Sequence, residues 1–339
     1  MNNDKKDYML SVVIVTRNEE ENIESCINSV LEAIKDIKNV EILLVDSAST
    51  DNTIEIAKKY PVKIIQLKPS WPLSSHAGRY IGSLHARGHY IQFIDGDMTL
   101  DKNWFINSIP ILKKHAHIAG VVGIPTQEPY DNYLAKQFTN FFKKWSNNTK
   151  EGEIDTFGGA ILFKRDALME SGSWNPYMVV EGEAELAIRV VNTGYNFYAL
   201  LQPMTHHFGV KRVEMIDVIR QIFRCAIGQG QILRYSLKNR SIFRYCICRY
   251  KFFLLISIWL AIAIVSVIFL ITLDSFIVFY LWIAGTFFIL SYISIKKRSV
   301  KDGIWHFLDQ LIKFPLILRG FLKTPKDPSA YPTEVQIKK

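Results

Sequence analysis

The stretch His89–Asp101, HYIQFIDGDMTLD, decides the fold of this chain. Tyr90–Ile94 is a short apolar run bounded by turn residues, too short for a buried helix, and it reads as a buried strand. It ends abruptly in Asp95-Gly96-Asp97. Carboxylates at the carboxyl end of a buried strand stand where ligands bind in open α/β sheets. Two carboxylates held that close repel each other and favour a divalent cation. Mg²⁺ or Mn²⁺ takes oxygen ligands and commonly completes its shell with substrate phosphates. The plain alternative is a strand closed by an Asp-Gly turn; the motifs on either side weigh against it.

Upstream, Leu10–Val15 (LSVVIV), Val40–Val45 (VEILLV) and Val62–Leu67 read as further buried strands. Between them, Ile23, Ile27, Val30, Leu31 and Ile34 recur at helical spacing, and Thr53–Tyr60 and Ser75–Ala86 read as helices. Thr50 or Asp51 can cap the helix at Thr53. Strands alternating with helices predict βαβ units and a mostly parallel sheet. No GxGxxG follows the first strand and no P-loop is present, which disfavours a dinucleotide or triphosphate cradle. Downstream, a helix is expected over 102–114, a strand over 118–124, an irregular aromatic stretch over 130–145, and the close-approach glycines Gly158 and Gly159 before Ile161-Leu162-Phe163. A helix over 183–192 opens with acidic residues. A strand over 195–201 precedes Thr205-His206-His207, and a long basic helix covers 213–237.

The 339 residues carry a formal net charge of +9. The basic residues crowd around two apolar runs, at Arg240, Arg244, Arg249 and Lys251, then at Lys296, Lys297 and Arg298, which points to a membrane surface and not to nucleic acid. Phe252–Leu273 is uncharged and long enough, at about 1.5 Å per residue, to cross a ~30 Å hydrocarbon core. Phe276–Ile295 is a second such run, separated from the first only by Asp274-Ser275. Basic flanks at the outer ends place that side in the cytoplasm. The expected organisation is a catalytic α/β domain over 1–240, a transmembrane hairpin over 241–295 and a basic amphipathic interfacial tail over 296–339, broken at Pro315. Four cysteines without disulfide or zinc spacing suit a reducing compartment, and Met9–Val15, too short for a spanning helix and followed by no small-residue cleavage site, is not expected to be a signal peptide.

An ordered set of motifs carries a family resemblance: SVVIVTRNEEENI (11–23), LLVDSASTDNT (43–53), GRYIG (78–82), GHYIQFIDGDM (88–98), FGGAILFKRDAL (157–168), EGEAEL (181–186) and HH (206–207). Together they resemble the family 2 glycosyltransferases, which have the GT-A fold, over about residues 8–240. The resemblance implies transfer of a sugar from a nucleotide-sugar donor with inversion at the anomeric carbon. It implies that Asp97 is a direct metal ligand and that Asp95 touches ribose or metal. It further implies that His206 or His207 completes the metal shell and that Asp46 stands where the nucleotide base is read. Thr16, Arg17 and Glu19 form the loop expected to wall the base and ribose. Arg79 is expected to neutralise diphosphate oxygens.

Charge developing on the leaving diphosphate suits a metal, and the acceptor hydroxyl needs a general base. Glu183 takes the position of the Asp in the family's Glu-Asp pair. Here the pair reads Gly182-Glu183, so Glu181 and Glu185 stay open as alternatives, as does a plain acidic helix start. Gln221-x-x-Arg224 stands about where processive synthases have Gln-x-x-Arg-Trp, with Cys225 in place of the Trp; this argues against a polymer-extruding enzyme. The expectation is therefore an inverting, Mg²⁺- or Mn²⁺-dependent glycosyltransferase, multi-pass in the cell membrane with its catalytic domain cytoplasmic. Its acceptor is expected to be lipid-linked, a polyprenyl phosphate or a lipid-linked saccharide. The alternatives are a soluble or nascent polysaccharide acceptor, and a non-catalytic membrane scaffold that binds nucleotide-sugar.

Overall fold

A computed structural model describes residues 8–127, 150–208, 215–273 and 276–338. The chain divides into two compact units, one of residues 1–218 with 326–339, the other of 219–325.

The first unit opens with β1 (Leu10–Thr16), α1 (Ile23–Ile34), β2 (Val40–Asp46), α2 (Thr53–Ala57), β3 (Lys63–Gln66), α3 (Ser75–His85) and β4 (Tyr90–Asp95). It continues through β5 (Met98–Leu100), α4 (Trp104–Lys114), β6 (Ile118–Gln127), β7 (Gly152–Ile154), β8 (Ile161–Lys164), α5 (Arg165–Glu170), α6 (Gly182–Asn192) and β9 (Asn196–His207). One sheet runs β10-β3-β2-β1-β4-β8-β6-β9-β5, where β10 is Gln336–Lys338 and β7 pairs with β9. All seven residues of β1 are buried, as in a strand covered on both faces. Alternate residues feed two cores: Val13, Leu43 and Phe93 meet Trp174 on one face, while Val12, Ile14, Leu44 and Ile94 meet Trp104 on the other.

The sheet is mixed where the pattern predicts it mostly parallel. Pairs β1–β2, β2–β3 and β1–β4 are parallel, as βαβ crossovers demand. Beyond β4 the strict alternation lapses, and β8 returns antiparallel against both β4 and β6. The parallel half brings Asp46, Thr16 and Asp95 to one edge, since Thr16 is level with Asp46 and Val15 with Asp95.

The end of the chain belongs to this unit. β10 pairs antiparallel with β3, and Tyr331 is 2% exposed, its hydroxyl donating to the Pro72 carbonyl at 2.8 Å. Its ring packs edge-on to Trp71, Tyr80 and Tyr177. The expected single interfacial tail over 296–339 is thus two things, a helix and then a strand that completes the sheet. Local pattern could not reveal this, because a three-residue strand carries no periodic signal.

The second unit holds helices α7 (Met215–Ser236, from Ile219 on), α8 (Arg240–Arg249), α9 (Lys251–Leu273), α10 (Ile277–Lys297) and α11 (Val300–Leu322). Helices α9 and α10 are long and apolar enough to cross a membrane, and 11% of each apolar window is buried. Trp259 stacks on Trp282 and donates to Thr286 Oγ1 at 2.8 Å, tying the two helices together. Helix α11 runs through Pro315, contrary to the expected break. Phe307, Leu311 and Phe314 pack against Ile256, Ile289 and Ile293, and Gly230 meets Gly320 backbone to backbone, so packing on both sides of the proline holds the helix. In α7 the Gln221 amide donates to Cys225 Sγ, one turn along the same helix. The aromatic stretch 130–145 and the Asp274-Ser275 connection lie outside the described residues.

Candidate active site

The edge formed by the carboxyl ends of β2, β1 and β4 collects the candidate residues. The loops after β1 and β2 lock together: Thr50 N–H donates to Asn18 Oδ1, Asn18 N–H to Ser49 Oγ, and Glu19 N–H to Thr53 Oγ1, each at 2.8 Å. Asn18 and Ala48 take left-handed backbone conformations to make these turns, at φ 55° and 58°. Such strain costs roughly 1–3 kcal/mol per residue and gathers at functional sites. Arg17 is exposed on this loop, while Thr16 is buried and its hydroxyl has no hydrogen-bond partner among the described residues. The Ser47 hydroxyl is orphaned in the same way. Buried polar groups are normally satisfied, so these two hydroxyls at adjacent strand ends stand out.

Asp46 departs from the expected base contact. It is fully buried, and its oxygens accept from the Ser49 N–H and from Gln66 Nε2 at 3.1 Å. Its position shapes the loop after β2 instead of facing outward.

Arg79, expected to neutralise diphosphate oxygens, is 1% exposed. Its Nη2 donates to both Asp95 oxygens, at 2.7 and 2.9 Å, and its Nη1 lies 3.5 Å from Glu183 Oε1. The guanidinium sits over the Trp174 ring, 5.1 Å from its centroid. Gly159 makes room for the pair, since a Cβ there would come within 2.9 Å of Arg79 Nη2.

Asp97, two residues past the end of β4, meets His207 at 3.0 Å, Oδ2 to Nε2. The neighbouring His206 points to the opposite face of β9, as successive strand residues must. Its Nδ1 lies 3.0 Å from Thr126 Oγ1. Burial opposes the charged form of His207, but the hydrogen bond and charge of Asp97 raise its pKa overall. Around this pair negative charge accumulates. Burial, with the Asp97 and Asp95 charges adding to it, pushes Glu19 up to about 7 against the lowering effect of Asn22. Burial also raises Asp95, and the Arg79 charge offsets that only in part.

Among the described residues no three His, Cys, Asp or Glu side chains close into a finished metal cage. The donor set nevertheless fits a hard divalent cation: the carboxylates of Asp95 and Asp97 close together, with the His207 imidazole nitrogen beside them.

Glu183 lies in the first turn of α6, after Glu181 in a left-handed conformation at φ 63°. Its Oε2 is 3.1 Å from His76 Nε2. Burial opposes its ionised form, but the His76 charge and hydrogen bond, together with Arg79, hold its carboxyl well below the usual carboxylate range. Glu185 is buried and bound to Arg189 of its own helix at 2.7 Å, which withdraws it as an alternative to Glu183. His76 was not singled out from the sequence. The one available signal was its place three residues before Arg79, on the same face of α3.

Residues 11–172 match the profile described as Glycosyl transferase family 2. Glycosyltransferase AglE of Haloferax volcanii is 25% identical over 247 residues, 69% of this chain and 77% of that protein. Poly-beta-1,6-N-acetyl-D-glucosamine synthase of Staphylococcus epidermidis is 26% identical over 182 residues, 51% of this chain but only 43% of the synthase. Mannosyltransferase PcManGT from Pyrobaculum calidifontis, solved in complex with GDP-Man and Mn²⁺, superposes with a TM-score of 0.58 at 15% identity. The superposition covers 94% of this chain and 88% of that one, a likeness of fold.

Proposed function

We propose that the chain, whose residues 11–172 match the Glycosyl transferase family 2 profile and whose fold is like that of a solved mannosyltransferase, is an inverting, divalent-metal-dependent glycosyltransferase of the GT-A fold acting on a lipid-linked acceptor at the cytoplasmic membrane face. The observation that carries the reading is the Arg79 guanidinium, which lies between Asp95 and Glu183 and so joins the strand-end acids and the helix-start acid in one site.

In this reading Asp97 and His207 would hold the metal, with Asp95 beside them. A bound Mg²⁺ or Mn²⁺ supplies positive charge against the diphosphate leaving group. The orphan hydroxyls of Thr16 and Ser47, with Arg17 and Glu19, face the nucleoside. Glu183, ionised by its cationic neighbours, accepts the proton of the acceptor hydroxyl as the sugar bond forms. Arg79 keeps Asp95 and Glu183 apart and in register. The domain division follows the two units, with the donor site wholly in the first. Helices α9 and α10 anchor the chain, their basic ends on the cytoplasmic side. The lipid acceptor is supported by that anchoring, since tethering raises the effective concentration of a membrane-embedded partner.

Similarity to the Staphylococcus synthase favours a second reading, in which the acceptor is a nascent polysaccharide.

Membranes bearing the full-length protein, incubated with a panel of radiolabelled UDP- and GDP-sugars and polyprenyl phosphate, test both. Label is expected in the organic phase, lost with EDTA and restored by Mn²⁺. Label confined to water-soluble polymer supports the second reading, and transfer undiminished by EDTA removes the metal.

A further inference from the structure

His76 is 2% exposed, yet it is a polar residue in the middle of a core. Its Nδ1 lies 3.1 Å from the Met178 carbonyl and its Nε2 3.1 Å from Glu183 Oε2. Both partners are acceptors, so the ring satisfies both contacts only as a two-proton donor. Trp174 packs against the ring at 5.8 Å, fixing its plane. One turn of helix further on, Arg79 approaches the other oxygen of the same carboxylate.

The space for this ring is made by Gly182. A Cβ at that position would collide with the imidazole, so the glycine that breaks the family's Glu-Asp pattern and the histidine in α3 are complementary shapes. The loop that presents the Met178 carbonyl is itself pinned to the start of α3. Ser74, which caps that helix by accepting from the Ala77 N–H, donates to the Pro176 carbonyl at 3.2 Å.

We propose that His76 is a positioning residue for the transfer reaction: clamped by Met178 and seated in the space left by Gly182, it orients the Glu183 carboxylate for proton abstraction. The proposal rests on Glu183 being the base. The charged groups facing Glu183 are His76 and Arg79 from α3 and, beyond Arg79, Asp95 at the end of β4. On its own helix Glu185 is held by Arg189. Removing the imidazole leaves Arg79, at 3.5 Å, and a backbone hydrogen bond at the helix start to oppose protonation of Glu183. The acid limb of the rate profile must then move to higher pH.

The test compares kcat against pH for the full-length enzyme and five variants, with donor binding and thermal melting as folding controls. In His76→Ala, kcat at mildly acidic pH is expected to fall roughly 10–100-fold, the usual effect of losing a partner that orients a working group. The acid limb should shift up by about one unit or more while donor KM changes less than about threefold. His76→Gln, whose amide can still donate to Glu183, should recover part of the rate. Gly182→Ala should impair the enzyme through collision with the ring, and adding His76→Ala to it should cost little more than Gly182→Ala alone. A folded His76→Ala with the wild-type pH profile overturns the proposal. If that variant does not fold, wild-type rates in Gly182→Ala overturn it instead. Glu183→Gln separates the two ideas. If it stays active, the base assignment fails and this proposal with it. If it is inactive while His76→Ala is normal, only the positioning role fails.

Discussion

Two carboxylate–histidine pairs stand in this site, and they differ in what surrounds them. Asp97 and His207 are 3.0 Å apart, and Glu183 and His76 are 3.1 Å apart. Around the first pair the additional groups are acids, Asp95 and Glu19, and burial with the Asp97 charge raises both of them. Around the second, the additional group is Arg79, and the carboxylate is driven well below its ordinary range. The same hydrogen bond therefore sits in opposite fields. An excess of buried negative charge is relieved by a cation, whereas a carboxylate between an imidazole and a guanidinium stays ionised. Arg79 separates the two fields, since it satisfies Asp95 with one nitrogen and faces Glu183 with the other.

Asp97→Asn should break the first field outright. Transfer is expected to fall at least about 10³-fold, the scale of losing a group that stabilises transition-state charge. Folding and membrane retention should be unchanged, and normal turnover at any Mn²⁺ concentration would remove Asp97 from the metal site. Glu183→Gln should break the second field while sparing the first. A loss of about 10²–10⁴-fold in kcat is expected, with donor affinity by calorimetry unchanged; a variant that loses donor binding instead would place Glu183 on the wrong substrate.

Glu19→Gln sharpens the contrast through pH. A carboxyl whose folded pKa of about 7 lies above its unfolded value favours the fold fully below about 4.5, and that contribution is lost as pH rises through 7. In metal-free buffer the variant should therefore be more stable than wild type by about 1–3 kcal/mol at pH 8 and no more stable at pH 4. Equal melting differences at both pH values would show that the acidic cluster does not load Glu19. The smallest effect is expected from Tyr331→Phe, which removes a hydrogen bond to Pro72 and should cost about 1 kcal/mol in denaturant titrations while leaving both pairs intact.

The return of the chain to the sheet bears on how the donor site can be isolated. A fragment ending before Lys251 loses Tyr331 and β10 along with helices α9 to α11, so it lacks part of the first unit as well as the apolar helices.

Periodicity alone placed the strands at Leu10, Val40 and Tyr90 and the helices between them within a few residues, because side-chain alternation is a local property of the backbone. The Asp95-Gly96-Asp97 turn was legible for the same reason: a buried strand that stops in two acids declares its own end. The two uninterrupted apolar helices declare themselves by composition. What the sequence withheld are partnerships between distant residues. His76 meets Glu183 across 107 positions, and Lys338 meets Gln66 across 272. Nothing in the sequence near His76 marks it as bound to an acid, and nothing near Gly182 says which side chain fills its space. The choice of His207 over His206 depends on which face of β9 meets Asp97, and burial of Arg79 and Asp46 depends on partners brought by other strands and helices. Tertiary structure decides these because a buried charge is stable only where a partner meets it, and that meeting is a property of packing, not of any local stretch of chain.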